Sequence, residues 1–436
     1  MTDESPAELR VLALRCRSAA RVLQSLSSDQ RADILHRVAD GLLSSASAIL
    51  AANADDVAAA TASSTAPALL ARLSLTPAKL EALAAGVRSV AALPDPLGKP
   101  LTRTRLASGL ELTKVSSPLG VLLVIFESRP DALPQIASLC VKAGDGLILK
   151  GGKEAARSCA ALHAVVEAAC VAVDPELAGL VAMVTSRGAV DDLLSLHDVI
   201  DLVIPRGSNA LVAHITQHTR IPVLGHADGV CHVFVHESAD AAKATAVVLD
   251  AKTDYPAACN AMETLLLHRP IVAGPVGAQL LDALRGAGVT LYGGPVAAQL
   301  LGLPPAADLH TEYGSLACCV EVVDSTSAAV EHIHAHGSGH TECIVASDES
   351  AIAFFLHNVD SACVFANAST RFADGARFGL GAEVGIATGR LHARGPVGIE
   401  GLLTTRWLLA GDGHVVAKDK GVVYTHEALP LASPPL

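Results

Sequence analysis

At 436 residues the chain exceeds what one ordinary hydrophobic core supports, so two or more domains are expected. Its 51% hydrophobic content and mean hydropathy of +0.42 invite a membrane reading, yet apolar runs such as Gly120 to Phe126 fall far short of the roughly 18 residues that span a bilayer. A net charge of −12 argues against a nucleic-acid or anionic-membrane partner, so an anionic small molecule would need local cations to hold it.

The first hundred residues read as helices. Ser27 and Gln30 have the spacing of a capping box, and Ile34, Leu35, Val38, Leu42 and Leu43 follow as an apolar stripe. Thr76-Pro77 opens another helix, carrying Leu80, Leu83, Val87 and Val90, and the run from Leu93 to Gly98 stops it. Residues 101–117 alternate polar and apolar about Gly109, the pattern of a two-stranded hairpin. From residue 119 the pattern changes. Continuous apolar runs at 119–126, 146–149, 177–185 and 199–204 alternate with helical stretches, which indicates a mostly parallel sheet covered on both faces. A second strand–helix alternation runs from about 240 to 365, and 415–417 with 422–424 read as a terminal pair of strands.

Three strand ends carry chemistry. Arg129, in Phe126-Glu-Ser-Arg-Pro-Asp131, follows a buried strand, where it can clamp a carboxylate or phosphate; pairing with Glu127 or Asp131 is the plainer alternative. Lys150 and Lys153 flank a glycine pair between a strand and a helix start, which suits a phosphate-bearing cofactor, with solvated lysines as the alternative. Gly207 and Ser208 follow the strand ending at Arg206 and can offer donors to a pyrophosphate. No GxGxxG follows a strand, so a dinucleotide loop of the common kind is not expected.

Cys259 follows the turn signal Asp254-Tyr-Pro256 and precedes the strand-like run at 264–268. A thiol displayed where a loop meets a regular element is how cysteine acyl-transfer enzymes present a nucleophile, although a buried structural cysteine is the alternative. The ten cysteines show neither zinc-ligand spacing nor a disulfide framework, which suits a reducing compartment. The acidic N-terminus lacks an apolar signal core, so the cytoplasm is expected, with plastid or mitochondrion left open. His332, His334, His336 and His340 raise a metal reading through alternation on a strand. With no carboxylate or cysteine at a matching spacing, they are read as surface residues, and no metal is expected. Residues 367–396 form a long glycine-rich stretch of the kind that usually carries function.

Six runs in this order, Ser117-Pro-Leu-Gly-Val-Leu122, Phe126 to Asp131, Lys150-Gly-Gly-Lys-Glu-Ala155, Cys259-Asn-Ala-Met-Glu-Thr264, Asn367-Ala-Ser-Thr-Arg-Phe372 and Leu391-His-Ala-Arg-Gly-Pro396, resemble the gamma-glutamyl phosphate reductase family. The likeness covers about residues 8 to 410 and is closest to the reductase half of plant-type pyrroline-5-carboxylate synthases. No amino-acid-kinase segment precedes it, and a stand-alone reductase is the expectation. The resemblance implies an α/β, aldehyde-dehydrogenase-like fold. A Rossmann-type cofactor domain would occupy 1–103 and 118–233, an oligomerisation hairpin 104–117, an α/β catalytic domain 234–405, and a C-terminal oligomerisation segment 406–436.

It further implies NADPH-dependent reduction of L-glutamyl 5-phosphate to glutamate 5-semialdehyde through a thioester on Cys259, in proline biosynthesis. Asn260 and Arg129 would contact the oxyanion or phosphate. Lys150, Lys153, Gly207 and Ser208 would contact the cofactor, and Glu312 its ribose. Lys153 stands where many NAD-using relatives carry a ribose-binding Glu, which favours NADP over NAD. Arg371, His392 and Arg394 are weaker candidates for the substrate's α-carboxylate or phosphate. The segment from Pro222 to Gly229 lacks the catalytic Glu of hydrolytic relatives, with His226 or Asp228 as substitutes, so a thioester should survive until hydride arrives. A homo-oligomer is expected, and a contact with glutamate 5-kinase is conceivable for so labile a substrate. Two rival readings are a phosphate-independent aldehyde dehydrogenase of the same fold and a non-catalytic partner of the kinase.

Overall fold

The structure is a computed structural model that describes residues 4–65, 67–186, 188–207, 209–225, 228–416 and 422–431. Ser208, His226 and Ala417 lie outside the described residues. Helices open the chain, and the caps offered by the sequence are formed. Ser5 and Ser27 accept backbone N–H groups while Glu8 and Gln30 reach back to the cap, and Thr76 caps Pro77–Ala92. Ile34, Leu35, Val38 and Leu42 are buried, whereas Leu43 lies off the stripe and is exposed.

β1 (Pro100–Ala107) and β2 (Leu110–Pro118) form the expected hairpin, with Gly109 at φ 72°, the left-handed conformation a tight turn demands. β3 (Val121–Phe126), β4 (Gly146–Lys150), β5 (Val181–Val184) and β6 (Leu202–Arg206) make a parallel sheet in the order β5-β4-β3-β6. Along β3, Leu122, Val124 and Phe126 enter one core while Val121, Leu123 and Ile125 enter another. Both faces are covered, so a strand whose side chains alternate still reads as an unbroken apolar run. The chain winds from β3 to β5, then returns to the far side of β3 as β6. Connections diverge at the carboxyl ends of β3 and β6, and such a reversal opens a crevice there. The helical run 153–173 is long and apolar enough to cross a membrane, but its Leu162, Val166 and Cys170 belong to the core beside this sheet.

The second parallel sheet contains β7 (Cys231–Val235), β8 (Met262–His268), β9 (Thr290–Gly293), β10 (Ala317–Val323), β11 (Thr341–Val345) and β12 (Cys363–Ala366), in the order β12-β11-β7-β8-β10-β9. Its amino ends face the crevice of the first sheet, because Cys259 just before β8 lines the same cavity as Arg206 at the end of β6. β13 (Gly385–Ala387) and β14 (Gly395–Val397) pair in the glycine-rich stretch.

Two expectations are corrected. The third strand of the hairpin sheet is β15 (Leu403–Ala410), antiparallel to β2, with the two-residue β16 (Glu427–Ala428) beside β1. Residues 415–416 and 422–424 have no regular structure. Strand propensity needs an edge to pair with, and β2 offers its edge to 403–410. His332, His334 and His336 lie on the helix Thr326–His336, capped by Ser325, not on a strand. His332 is partly buried, and burial with the neighbouring His232 and His336 pushes it down to about 3. His340 is buried.

Candidate active site

The crevice where β3 and β6 diverge continues into a cavity of about 600 Å³. Arg129 and Arg206 enter it from the ends of these strands, Cys259 and Asn260 from the loop before β8, and Arg371 and Glu383 from the glycine-rich stretch. All ten cysteines are free, nine are buried, and Cys259 alone is partly exposed. That exposure onto an arginine-lined cavity separates it from the structural thiols.

Close packing holds the nucleophile's backbone. An added Cβ at Gly229 would lie 2.3 Å from the Cys259 carbonyl oxygen and 2.6 Å from its Cα, so any side chain at 229 would displace the loop. The Gly229 N–H donates to Glu312 at 3.1 Å, and the buried Cys231 thiol donates to the Cys259 carbonyl at 3.3 Å. Behind the loop, Lys252 and Glu263 form a fully buried ion pair at 2.7 Å, one member on each side of residues 253–262.

The Asn260 side-chain amide, expected at the oxyanion, is engaged within the protein although the residue lines the cavity. Its Nδ2 donates to the Ala373 carbonyl at 2.8 Å and its Oδ1 accepts from Arg371, because a buried amide must satisfy both ends. Arg371 lines the cavity, but its Nε donates to Asp254 at 3.0 Å and its guanidinium lies over Tyr255, so it clamps the Cys259 loop from both sides. The Arg129 side chain has no hydrogen-bond or ion-pair partner among the described residues. Its turn is set by Ser128, at φ 48°, whose N–H and hydroxyl both donate to Glu154, at 2.7 and 2.9 Å. Holding a serine there costs on the order of 1 kcal/mol, which the two bonds to Glu154 offset.

Other expected residues fall outside the cavity. Arg394 is bound to Asp360 through two bonds of 2.8 Å, and exposed His392 is bonded to the Gly401 carbonyl at 2.6 Å. Asp228 lies 3.6 Å from His310 and is not among the residues that line the cavity. Lys150 is buried and its ammonium donates to the Gly151 carbonyl at 2.8 Å, while Lys153 is exposed; neither lines the cavity. In register Lys150 pairs with Ile125, one strand away from the β3–β6 crevice. Gly207 and Glu312 do line the cavity.

Sequence reading passed over Arg72, Arg206 and Glu383, all of which line it. The rule that singled out Arg129, a cation at a buried strand's end, applies equally to Arg206. Burial and the neighbouring Arg129 lower the Arg206 pKa, opposed by Glu383 and Cys259. Burial likewise raises the Glu383 carboxyl, against the pull of Arg206 and the Gly375 N–H. The lack of a Glu in 222–229 therefore does not leave the cavity without a carboxylate.

A partly exposed thiol and strand-end cations share a crevice between two parallel sheets on an aldehyde-dehydrogenase-like fold. No family model matches the chain. The acetylating aldehyde dehydrogenase from Geobacillus thermoglucosidasius shares this fold, with a TM-score of 0.66 at 17% identity over 94% of this chain and 98% of that one. The crystal structure of gamma-glutamyl phosphate reductase from Thermotoga maritima superposes with a TM-score of 0.89 at 34% identity, covering 94% of this chain and 99% of that one. A gamma-glutamyl phosphate reductase from a Cyanothece species is 49% identical over 421 residues, 96% of each chain. The chain belongs to the gamma-glutamyl phosphate reductase family. It is also 55% identical over 424 residues to Delta-1-pyrroline-5-carboxylate synthase A of Arabidopsis thaliana, and the match spans 97% of this chain but only 59% of that protein.

Proposed function

We propose that this chain reduces L-glutamyl 5-phosphate to L-glutamate 5-semialdehyde and phosphate, with NADPH as reductant, in proline biosynthesis. The observation that carries this reading is Cys259, the one cysteine of ten that is not buried, opening on a cavity lined by Arg129 and Arg206. The Cys259 sulfur attacks the acyl carbon, the carbon–oxygen bond to phosphate breaks, and a thioester forms. Paired guanidiniums stabilise the charge that gathers on the departing phosphate, and in a confined site they do so more strongly than in water.

The cofactor reading is tested by the donor set. Lys153 is exposed at the carboxyl end of β4 with no partner among the described residues, and Gly207 lines the crevice. An unpaired ammonium suits a 2′-phosphate, and the backbone at Gly207 can offer a donor to a pyrophosphate. Glu312, which accepts the Gly229 N–H and lines the cavity, would take the ribose hydroxyls. When bound, NADPH supplies a hydride to the acyl carbon. Cys259 then departs as thiolate and the aldehyde is released, while the Lys252–Glu263 pair and the Arg371 clamp keep the loop in place throughout.

Self-association through the β15-β2-β1 sheet is part of this proposal, supported by Trp407 and Leu409, exposed on the edge strand β15. A contact with glutamate 5-kinase would protect the labile acyl phosphate during transfer. The direct test is the reverse reaction. Glutamate 5-semialdehyde and NADP⁺ should yield NADPH only when phosphate is present, with a trapped acyl group on Cys259 by mass spectrometry. Turnover without phosphate would overturn the reading in favour of an ordinary aldehyde dehydrogenase.

A further inference from the structure

The second sheet has a reversal of its own. From β7 the chain steps to β8, while from β11, on the other side of β7, it steps to β12. Its crevice therefore opens at the carboxyl ends of β7 and β11, the end opposite Cys259. Two strands finish there in histidine at one level. Val235 pairs in register with Leu267, which brings His236 and His268 side by side with ring centroids 4.9 Å apart. Both histidines are buried, at 6% and 7% exposure, whereas Glu237 is exposed.

We propose that His236, Glu237 and His268 form a site for a divalent transition-metal ion, zinc foremost. One ligating atom from each lies within 4.8 Å of the other two. The far ring nitrogen of His268 has the partner a metal site needs. His268 Nε2 lies 3.2 Å from the Asp324 carbonyl, to which it donates, so Nδ1 carries the lone pair; only the Glu237 N–H approaches it, at 3.3 Å. His236 Nδ1 lies 2.9 Å from the Ser238 hydroxyl and accepts the Ser238 N–H at 3.2 Å, and its Nε2 makes no hydrogen bond among the described residues, so ligation through Nε2 requires the ring proton to move to Nδ1, against the Ser238 oxygen. Ligating histidines characteristically hold their other nitrogen against an oxygen, as His268 does.

Two neutral imidazoles and one carboxylate are a zinc ligand set that leaves a fourth position for water. Ligands on a tetrahedral zinc with bonds of about 2 Å stand roughly 3.3 Å apart, so the site must tighten on binding. Exposed Glu237 is free to make that movement. The motif is invisible along the chain, since 236–237 and 268 meet only through strand register. A metal here would fasten the two central strands at the end remote from the cavity, so it should raise stability and leave turnover unchanged.

The test uses the full chain carrying Cys259→Ser, which removes the thiol as a competing zinc ligand. Zinc is titrated against a chromogenic chelator, and cobalt(II) is followed by its visible absorption. One zinc per chain, cobalt bands of a four- or five-coordinate ion and a melting temperature that rises with zinc are expected. His236→Ala and His268→Ala should each weaken zinc by roughly tenfold or more and remove the cobalt bands. Glu237→Gln should weaken it less. His236→Gln and His268→Gln serve if the alanine variants melt early without metal. No zinc uptake at micromolar concentration, or uptake unchanged in the His236 and His268 variants, would overturn the site. Uptake lost in His332→Ala but kept in the His268 variants would overturn it as well.

Discussion

The two parallel sheets are both buried on two faces, yet they are filled differently. In the first, β3, β4 and β6 are apolar until Lys150 and Arg206 appear at their carboxyl ends. In the second, His232, Glu263, Glu321 and Glu342 sit within the strands, each at most 5% exposed. Every one of these carboxylates holds something outside its strand. Glu263 takes the Lys252 ammonium and the Gly314 N–H, at 2.7 and 3.3 Å. Glu321 accepts the Val296 and Ala297 N–H groups at a helix start, and Glu342 accepts the His232 N–H and the Ser361 hydroxyl. The first sheet is a hydrophobic platform whose chemistry lies at its rim, and the second anchors loops from within. Anchoring makes position sensitive to charge, because a buried ion without its partner is far more costly than a lost methylene.

The comparison breaks outright if the chemistry lies elsewhere. Cys259→Ser should lower phosphate-dependent turnover by about 10⁴ or more while leaving the unfolding midpoint in place. Retained turnover in that variant would place the nucleophile on another residue. Stability sharpens the contrast next. Glu263→Leu should cost about 3–5 kcal/mol in urea unfolding because it strands Lys252, and Lys252→Met in the same chain should recover most of that. Ile125→Val on the platform sheet should cost about 0.5–1.5 kcal/mol.

A pH series tests the same anchor. Burial outweighs the pull of Lys252 and raises the Glu263 carboxyl from 4.5 to about 7. A folded-state value above the unfolded one stabilises fully at low pH and is lost as the carboxyl ionises. The stability of the wild type relative to Glu263→Gln should therefore fall by about 3 kcal/mol as pH rises from below 4.5 through 7. At the rim of the platform, Arg206→Met should lower kcat/KM by about 10². Arg394→Met, remote from the cavity, should leave it unchanged. The smallest effect is expected at Lys153→Glu, which should move cofactor preference toward NADH by about tenfold in the ratio of kcat/KM values.

Much of the platform was legible along the chain. Unbroken apolar runs bounded by turns marked β3, β4 and β6, and serine and threonine caps marked the helices, because those signals are local. The hairpin's third strand was not legible, since 403–410 becomes a strand only against β2, about 290 residues earlier. The histidines at 332, 334 and 336 were misread for a related reason: a spacing of two does not by itself separate a strand from a helix. Arg394 and His392 were expected at the substrate because the run from Leu391 to Pro396 carries the family resemblance, and in the structure Asp360 and the Gly401 carbonyl engage them. Asn260 stood beside the nucleophile as expected but serves its loop.

By itself the sequence determined the kind of residues present and where each buried run begins and ends, because capping, turn chemistry and hydrophobic periodicity act over a few neighbours. It also singled out Cys259. Only the tertiary structure decided which cations share its cavity, which of them are already engaged, and that Gly229 must lack a side chain. Those outcomes depend on strand order and register, which bring distant residues within hydrogen-bonding reach and leave no trace in local spacing.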